Sequence, residues 1–352
     1  MKKYNVAVIG VGVVGIEMLR VLKQRNFPIG ELRVFARSSR DIDVDGQKYS
    51  VKPISPEGFE GIDIALFAGT EGEKGAAVTY ANEAVKRGAV VIDNGADFRM
   101  DPDVPLVVPE VNAADVKKHK GIIANPNCST IQMVVALNPI YKKVGIKRII
   151  VTTLQASSGA GKAAVEQLWQ ETEEVILRSQ KSENRSQKVL SSVFCSPSSE
   201  KPMPQQLAFN VFPHIGSFVE GDYTNEEWKL VKETHKIMHA PKIKISATTV
   251  RVPVRTGHSE SVYIETVRPI AVDKVKAILS KAPGVILMDE PKNNLYPMPK
   301  DVEGRDETFV GRIRKDAFVK NGLWLWVVAD NLRKGAATNA VQIAECVISS
   351  SK

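Results

Sequence analysis

The sequence predicts an α/β protein in two parts: a Rossmann-type parallel-sheet domain followed by an α+β domain. Three observations support this. The first 127 residues alternate short apolar strands with helices, the pattern of a mostly parallel sheet covered on both faces. The first strand runs directly into Gly10-Val11-Gly12-Val13-Val14-Gly15. From Arg148 the strand-like runs become longer and rich in β-branched residues.

In chain order, strands are expected at Val6–Ile9, Leu32–Phe35, Ile62–Phe67, Val90–Ile92, Leu106–Val108 and Ile122–Ala124. Helices are expected between some of them, at Gly15–Gln24 and Gly75–Arg87, and an apolar helical stretch follows at Ile131–Leu137. The second part should hold strands at Ile149–Leu154, Ile243–Val254 and Ser261–Val267, with helices at Ala163–Arg178 and Glu226–Met238. Its sheet is suited to dimerisation. Between Arg178 and Gln206 the chain is polar and carries Pro197, Pro202 and Pro204, so it reads as an irregular excursion. A last helix at Asn339–Ile348 should return to the first domain. The expected division is 1–127 plus 331–352 for the first domain and 128–330 for the second. No internal repeat is visible.

The 352 residues are 43% hydrophobic and 25% charged, a globular composition. No apolar run reaches the ~18–20 residues needed to cross a bilayer. Lys2 and Lys3 before Val6–Ile16 imitate a signal peptide, but Glu17 and Arg20 follow and no small-residue cleavage site does. The three cysteines, Cys128, Cys195 and Cys346, are scattered and unpaired in spacing, which points to a reducing, cytoplasmic setting. The net charge of +8 is dispersed and comes without an RNP-like or zinc-finger pattern. That argues against nucleic acid and for small anionic ligands.

The glycine run has the G-x-G-x-x-G form, between a strand and a helix in the first unit of the chain. Gly10, Gly12 and Gly15, with Val13 and Val14, should form a pyrophosphate-binding turn. An NAD site would place an acidic residue after the second strand. Arg37, Ser38 and Ser39 stand there instead and suit a 2′-phosphate, so NADP is the expected cofactor. The bland alternative is a solvated basic loop.

Cys128 follows a Pro-containing turn and precedes the apolar helical stretch, where a helix N-terminus lowers a thiol's pKa and stabilises an oxyanion. An isolated cysteine is more often inert and buried. Here other groups accompany it. His258, expected between two strands, can move protons. Arg251 can hold a carboxylate through two parallel bonds. Gln155 opens a glycine-rich turn, Gln155-Ala156-Ser157-Ser158-Gly159-Ala160-Gly161, suited to orienting substrate. Glu226 and Lys229, three apart, share a helix face. Arg99 and Lys229 together can hold a phosphate. No metal site is expected: His235 and His239 are spaced as in a zincin, but Lys236 replaces the glutamate. Gly159-Ala160-Gly161-Lys162 lacks the first glycine and the Ser/Thr of a phosphate-binding P-loop.

These residues lie in segments that resemble the aspartate-β-semialdehyde dehydrogenases over essentially the full chain. The matching runs are Asn125-Pro126-Asn127-Cys128-Ser129-Thr130-Ile131-Gln132, Gln155-Ala156-Ser157, Phe209-Asn210-Val211 with Pro213-His214, Glu226-Glu227-Trp228-Lys229, Arg251-Val252-Pro253-Val254 with Gly257-His258-Ser259, and Asp330 to Ala337. Asp101 to Asn112 matches as well. The resemblance implies Cys128 as nucleophile, His258 as general acid/base and Gln155 as an orienting residue. It implies Arg251 on the substrate α-carboxylate, Glu226 on its α-amino group, and Arg99 and Lys229 on its phosphate, with Asn127 also on the substrate side. Ser158, Gly159 and Asn331 would meet the cofactor, Asn331 beside the nicotinamide. The implied reaction is NADPH-dependent reduction of L-aspartyl 4-phosphate, by a homodimer or a tetramer built from it.

Two runs depart from the family pattern. The glycine loop replaces the usual Gly-Ala-Thr-Gly, and Ala96-Asp97-Phe98-Arg99 is similar to the sister N-acetyl-γ-glutamyl-phosphate reductases. That sister activity and a non-catalytic dinucleotide-binding protein are the alternatives; a glyceraldehyde-phosphate-type dehydrogenase fits the arginine and glutamate complement less well.

Overall fold

The computed structural model describes residues 2–69, 75–183 and 203–350. The first sheet is built from β1 (Tyr4–Ile9), β2 (Ile29–Ala36), β3 (Arg40–Val44), β4 (Gln47–Pro53), β5 (Ile64–Phe67), β6 (Val90–Asp93) and β7 (Ile122–Ala124). Their spatial order is β3-β4-β2-β1-β5-β6-β7, parallel throughout except for the β3–β4 hairpin. Alternation along β1 explains its central place. Ala7 and Ile9 pack with Ala77, Ala81 and Ala84 of α2 (Ala76–Lys86) on one face. Val6 and Val8 pack on the other with Met18, Leu19 and Leu22 of α1 (Val13–Gln24). The winding direction reverses between β1 and β5, so a crevice opens beyond their carboxyl ends.

After the one-turn α3 (Pro109–Asn112), β7 leads into α4 (Cys128–Val144), which spans from the first sheet to the second. The second sheet holds β8 (Ile146–Gln155), β9 (Lys244–Arg251), β10 (His258–Thr266), β11 (Val285–Leu287), β12 (Thr308–Lys315) and β13 (Gly322–Ala329) in the order β11-β12-β13-β10-β8-β9. It is mixed: β8–β9 and β11–β12 are parallel, the other pairs antiparallel. Ile149, Val151, Val262 and Ile264 on its inner face share a core with α4, α6 (Asn225–Ile237) and α7 (Val272–Leu279). The other face is less covered: Ile150 is 42% exposed, near the Tyr263–Trp324 ring contact. The remaining helices are α5 (Lys162–Glu183), the one-turn α8 (Pro299–Val302) and α9 (Thr338–Ser350). α9 buries Ala340, Val341 and Ala344 in the same core as α1 and β1.

Several expected elements change. The β3–β4 hairpin was not anticipated, although Asp45-Gly46 is a hairpin signal; both residues have positive φ, 53° and 80°. Leu106–Val108 is no ladder strand: only Leu106 bridges to Ala124, because Pro105 and Pro109 bracket the segment. The strand expected at Ile62–Phe67 starts at Ile64. The strand expected at Ile243–Val254 ends at Arg251, ahead of Pro253. His258 lies on a strand, as the first residue of β10, and not between two strands. α5 continues past the expected end at Arg178 to Glu183; residues 184–202 of the excursion, with Cys195, fall outside the described residues. α7 and strands β11 to β13 were not anticipated either.

The C-terminal return is fastened by one buried cation. Lys334 is fully buried and donates to Glu110 Oε2 at 2.7 Å, Asn339 Oδ1 at 3.1 Å and Gln342 Oε1 at 2.7 Å. Removing only the cation leaves a buried carboxylate uncompensated. Lys334→Met is therefore expected to lower unfolding free energy by about 3–5 kcal/mol in a denaturant titration, and Lys334→Met with Glu110→Leu to recover much of that loss. Equal losses in the single and double variants would refute this account.

Candidate active site

Cys128 is the first residue of α4, and its position follows from the residue before it. Asn127 caps the helix, its Oδ1 accepting from Ser129 N at 3.0 Å and Thr130 N at 3.4 Å. Two carboxylates of α6 then fix the cap. Glu233 Oε2 accepts from Asn127 N at 2.7 Å, and Glu226 Oε1 accepts from Asn127 Nδ2 at 2.9 Å. On the opposite side, Gly335 lies against Cys128: a Cβ built there would sit 2.8 Å from Cys128 Cβ. Gly335 belongs to the short π-turn Arg333–Ala337, which brings Asn331 to the same place.

Arg99, Asn127, Cys128, Gln155, Glu226, Lys229 and Arg251 all line one cavity of about 570 Å³. Glu226 and Lys229 sit on one face of α6, as their spacing predicts, with Oε2 and Nζ 3.4 Å apart. Gln155 Nε2 reaches Glu226 Oε1 at 3.3 Å. Burial opposes ionisation of Glu226, but Lys229 and the bonds from Asn127 and Gln155 prevail and hold its carboxyl below the usual range. Arg99 is also bonded to protein: Nη1 pairs with Glu233 Oε1 at 3.0 Å, and Nε and Nη2 donate to the carbonyls of Asn125 and Asn94.

Parallel pairing of β8 with β9 sets Gln155 opposite Arg251, and antiparallel pairing with β10 brings His258 beside them. Arg251 Nη1 donates to Ala156 O at 2.6 Å, while its buried Nε has no protein partner. His258 Nδ1 accepts from Ala156 N at 3.0 Å. Burial, reinforced by Arg251, pushes the His258 pKa well below the ordinary value. A neutral ring whose Nδ1 accepts must carry its proton on Nε2, which has no protein partner. His258 thus stands as an N–H donor. Gly159 has no Cβ to separate the turn from it; a Cβ there would be 3.2 Å from His258 Nε2 and 3.3 Å from Arg251 Nη1.

A second cavity of about 500 Å³ adjoins the first and is lined by Gly10, Gly12, Val13, Val14 and Gly15. Ser158 and Gly159 border both cavities. Gly15 must lack a side chain, since a Cβ would lie 1.8 Å from Gly10 O, whereas Gly12 opens to free space. Backbone can therefore approach a pyrophosphate at the start of α1. Arg37, Ser38 and Ser39 are exposed where β2 ends beside β1, at the edge of that crevice. Asn331 exchanges hydrogen bonds with Ser158, at 3.0 and 3.2 Å, and accepts from Gly257 N. The site's donor set suits a dinucleotide; among the described residues no cluster suits a metal.

One expectation reverses. The thiol of Cys128 is not acidified in the free protein. Burial pushes it up to about 12, and the Glu226 carboxylate adds to this; the opposing help from Arg99, the Ser129 N–H and Arg251 is smaller. Sequence reading also missed Glu233 and Gly335. Glu233 sits one helical turn beyond Lys229, a spacing signal that was available; for Gly335 only the third dimension reveals the contact.

Comparison with known proteins gives a consistent result. The semialdehyde dehydrogenase NAD-binding domain matches residues 5–119, and the semialdehyde dehydrogenase dimerisation domain matches residues 137–334. The chain is 53% identical to aspartate-semialdehyde dehydrogenase of Aquifex aeolicus, over 98% of each chain. It is similar to aspartate semialdehyde dehydrogenase II of Vibrio cholerae, solved in complex with ASA, with TM-score 0.88, 42% identity and 99% coverage of both chains. A Candida albicans aspartate semialdehyde dehydrogenase structure with NADP matches with TM-score 0.70 and 25% identity over 98% of each chain.

Alkylation of the free protein by iodoacetamide should be slow at neutral pH at Cys128 and should accelerate with rising pH. Glu226→Gln, which removes the carboxylate that raises the thiol, should react faster at any given pH. A slower Glu226→Gln protein would show that another group controls the thiol.

Proposed function

Because the chain belongs to the aspartate-semialdehyde dehydrogenase family, we propose that it carries out NADPH-dependent reductive dephosphorylation of L-aspartyl 4-phosphate to L-aspartate 4-semialdehyde, in the aspartate pathway to lysine, threonine and methionine. The observation that carries this reading is the convergence of Cys128, Glu226, Arg251 and the Arg99–Lys229 pair on one cavity. The substrate has an α-ammonium, an α-carboxylate and an acyl phosphate. Glu226 takes the first, Arg251 the second, and Arg99 with Lys229 the third; Asn127 and Gln155 orient the group between them. An N-acetylated substrate has no ammonium to offer Glu226, which disfavours the sister reductase.

The chemistry then follows from charge. A substrate ammonium beside Glu226 offsets the negative charge that holds the thiol protonated. Cys128 Sγ bonds to the acyl carbon, the carbon–oxygen bond to phosphate breaks, and the thiol proton leaves with phosphate. NADPH, when bound, supplies a hydride to the thioester carbon. His258 Nε2–H stabilises the oxyanion of the resulting thiohemiacetal. As the carbon–sulfur bond breaks, the alkoxide becomes the aldehyde carbonyl, the departing thiolate takes a proton from solvent, and the semialdehyde is released.

Arg37, Ser38 and Ser39 support NADP over NAD, since they offer donors and no carboxylate where a 2′-phosphate would lie. The less covered face of the second sheet, around Ile150 and Trp324, supports assembly as a homodimer, and paired dimers would give a tetramer. The division at 127/128 and 330/331 fits α4 beginning at the nucleophile and α9 packing on the first sheet. Scattered cysteines support a cytoplasmic location; among the described residues no helix is long and apolar enough to cross a membrane.

The deciding assay is phosphate-dependent reduction of NADP by L-aspartate semialdehyde, with N-acetyl-glutamate semialdehyde and NAD in parallel. Activity should be confined to the aspartate compound and should vanish in Cys128→Ala, with NADP binding kept. Activity with the acetylated compound alone would establish the sister reaction instead. Arg251→Lys should lower kcat/KM by about 10-fold or more, because lysine has no planar fork; an unchanged value would remove Arg251 from carboxylate binding.

A further inference from the structure

Behind the nucleophile and the imidazole lies a polar pair that the reaction described above does not use. Glu260 follows His258 by two residues on β10, so both side chains point to the inner face of the sheet. Gln132 follows Cys128 by four residues on α4, so those two share a face of the helix. Helix and strand pack together, which sets Gln132 beside Glu260. Gln132 Nε2 donates to the main-chain carbonyl of His258 at 3.4 Å.

Two orphans complete the picture. Glu260 is fully buried, and neither of its carboxyl oxygens has a hydrogen-bond partner. Gln132 Oε1, also buried, has none either. Among the described residues no cation pairs with Glu260. Two acceptors cannot satisfy each other; a carboxylic acid and an amide oxygen can. The surroundings favour that neutral form: burial raises the pKa of Glu260 well above its ordinary value, and the neighbouring Gln132 side chain opposes the rise by less. Farther along the same face stand Val262 and Ile264, both fully buried. An apolar residue at 260 would extend that apolar row, so a carboxyl there calls for an explanation other than filling space.

We propose that Glu260 and Gln132 form a positioning couple that sets the nucleophile-bearing helix against the donor-bearing strand: the Glu260 hydroxyl donates to Gln132 Oε1, and Gln132 Nε2 holds the carbonyl of His258. The couple touches no substrate. It acts through Cys128 and His258, one helical turn away on α4 and two residues away on β10, and fixes the spacing between sulfur and Nε2–H. This inference rests on the reaction assigned above for its kinetic readout, but a second readout does not depend on it.

The test compares wild type with Glu260→Gln, Glu260→Leu, Gln132→Leu and the Glu260→Leu/Gln132→Leu pair. Each is measured for kcat and KM with L-aspartate semialdehyde, phosphate and NADP, for the pH dependence of Cys128 alkylation by iodoacetamide, and for thermal midpoint. Glu260→Gln keeps a donor toward Gln132, so its kcat should stay within about threefold of wild type and its alkylation profile should be unchanged. Each Leu variant should lose about 10-fold or more in kcat with little change in KM. Its alkylation profile should shift and its thermal midpoint fall, because the remaining partner is left buried and unpaired, whereas the double variant should recover the midpoint. The double variant should be no worse than either single one. Leu variants with wild-type kcat and alkylation would overturn the proposal. So would a Glu260→Gln protein as impaired as Glu260→Leu, which would assign the effect to charge. If wild type fails to turn over the semialdehyde, the assigned reaction falls, and the alkylation profiles alone still decide for or against the couple.

Discussion

The amide N–H of Asn127 bonded to the Glu233 carboxylate is the contact on which the site depends. That N–H lies just outside the first turn of α4, where no intrahelical acceptor exists for it. Glu233 accepts it with one oxygen and binds Arg99 with the other, so one buried carboxylate ties α4, α6 and the loop after β6 together. Desolvation raises the pKa of Glu233, while Arg99 and the amide bond oppose the rise. The place of Cys128 is thus held by a charge that is itself stable only when its two partners are present.

Above this frame the free site resists its own chemistry. Glu226 is held ionised; burial, and then Glu226, raise the thiol; burial, and then Arg251, keep His258 neutral. A site arranged in this way has its cations and anion placed for a substrate that carries the complementary charges. In the proposed reaction a substrate ammonium beside Glu226 offsets the charge that raises the thiol, so activation would coincide with substrate binding.

The two sheets contribute differently. The first sheet offers main chain: a glycine turn where side chains are excluded by a backbone oxygen, at the point where strand order reverses. The second offers side chains at fixed register, with Gln155 opposite Arg251 and His258 one strand away. α4 joins them, and Gly335 closes the junction from the C-terminal side.

The sequence by itself determined the fold class, the glycine turn after β1, the helix after Cys128 and the shared face of Glu226 and Lys229. Each depends on residues within a turn or two of one another, so spacing is enough to read them. It was less informative from about residue 270 to 330, where α7 and three strands went unread, and at Leu106–Val108, where flanking prolines break an apolar run. Only the tertiary structure decided that His258 is a donor, because its Nδ1 is taken by the amide of Ala156, 102 residues away. It alone decided that Cys128 is a protonated thiol at rest, because the helix end that should acidify it is buried beside Glu226, which the chain places 98 residues later. Burial and long-range charge are properties of packing, and no local pattern encodes them.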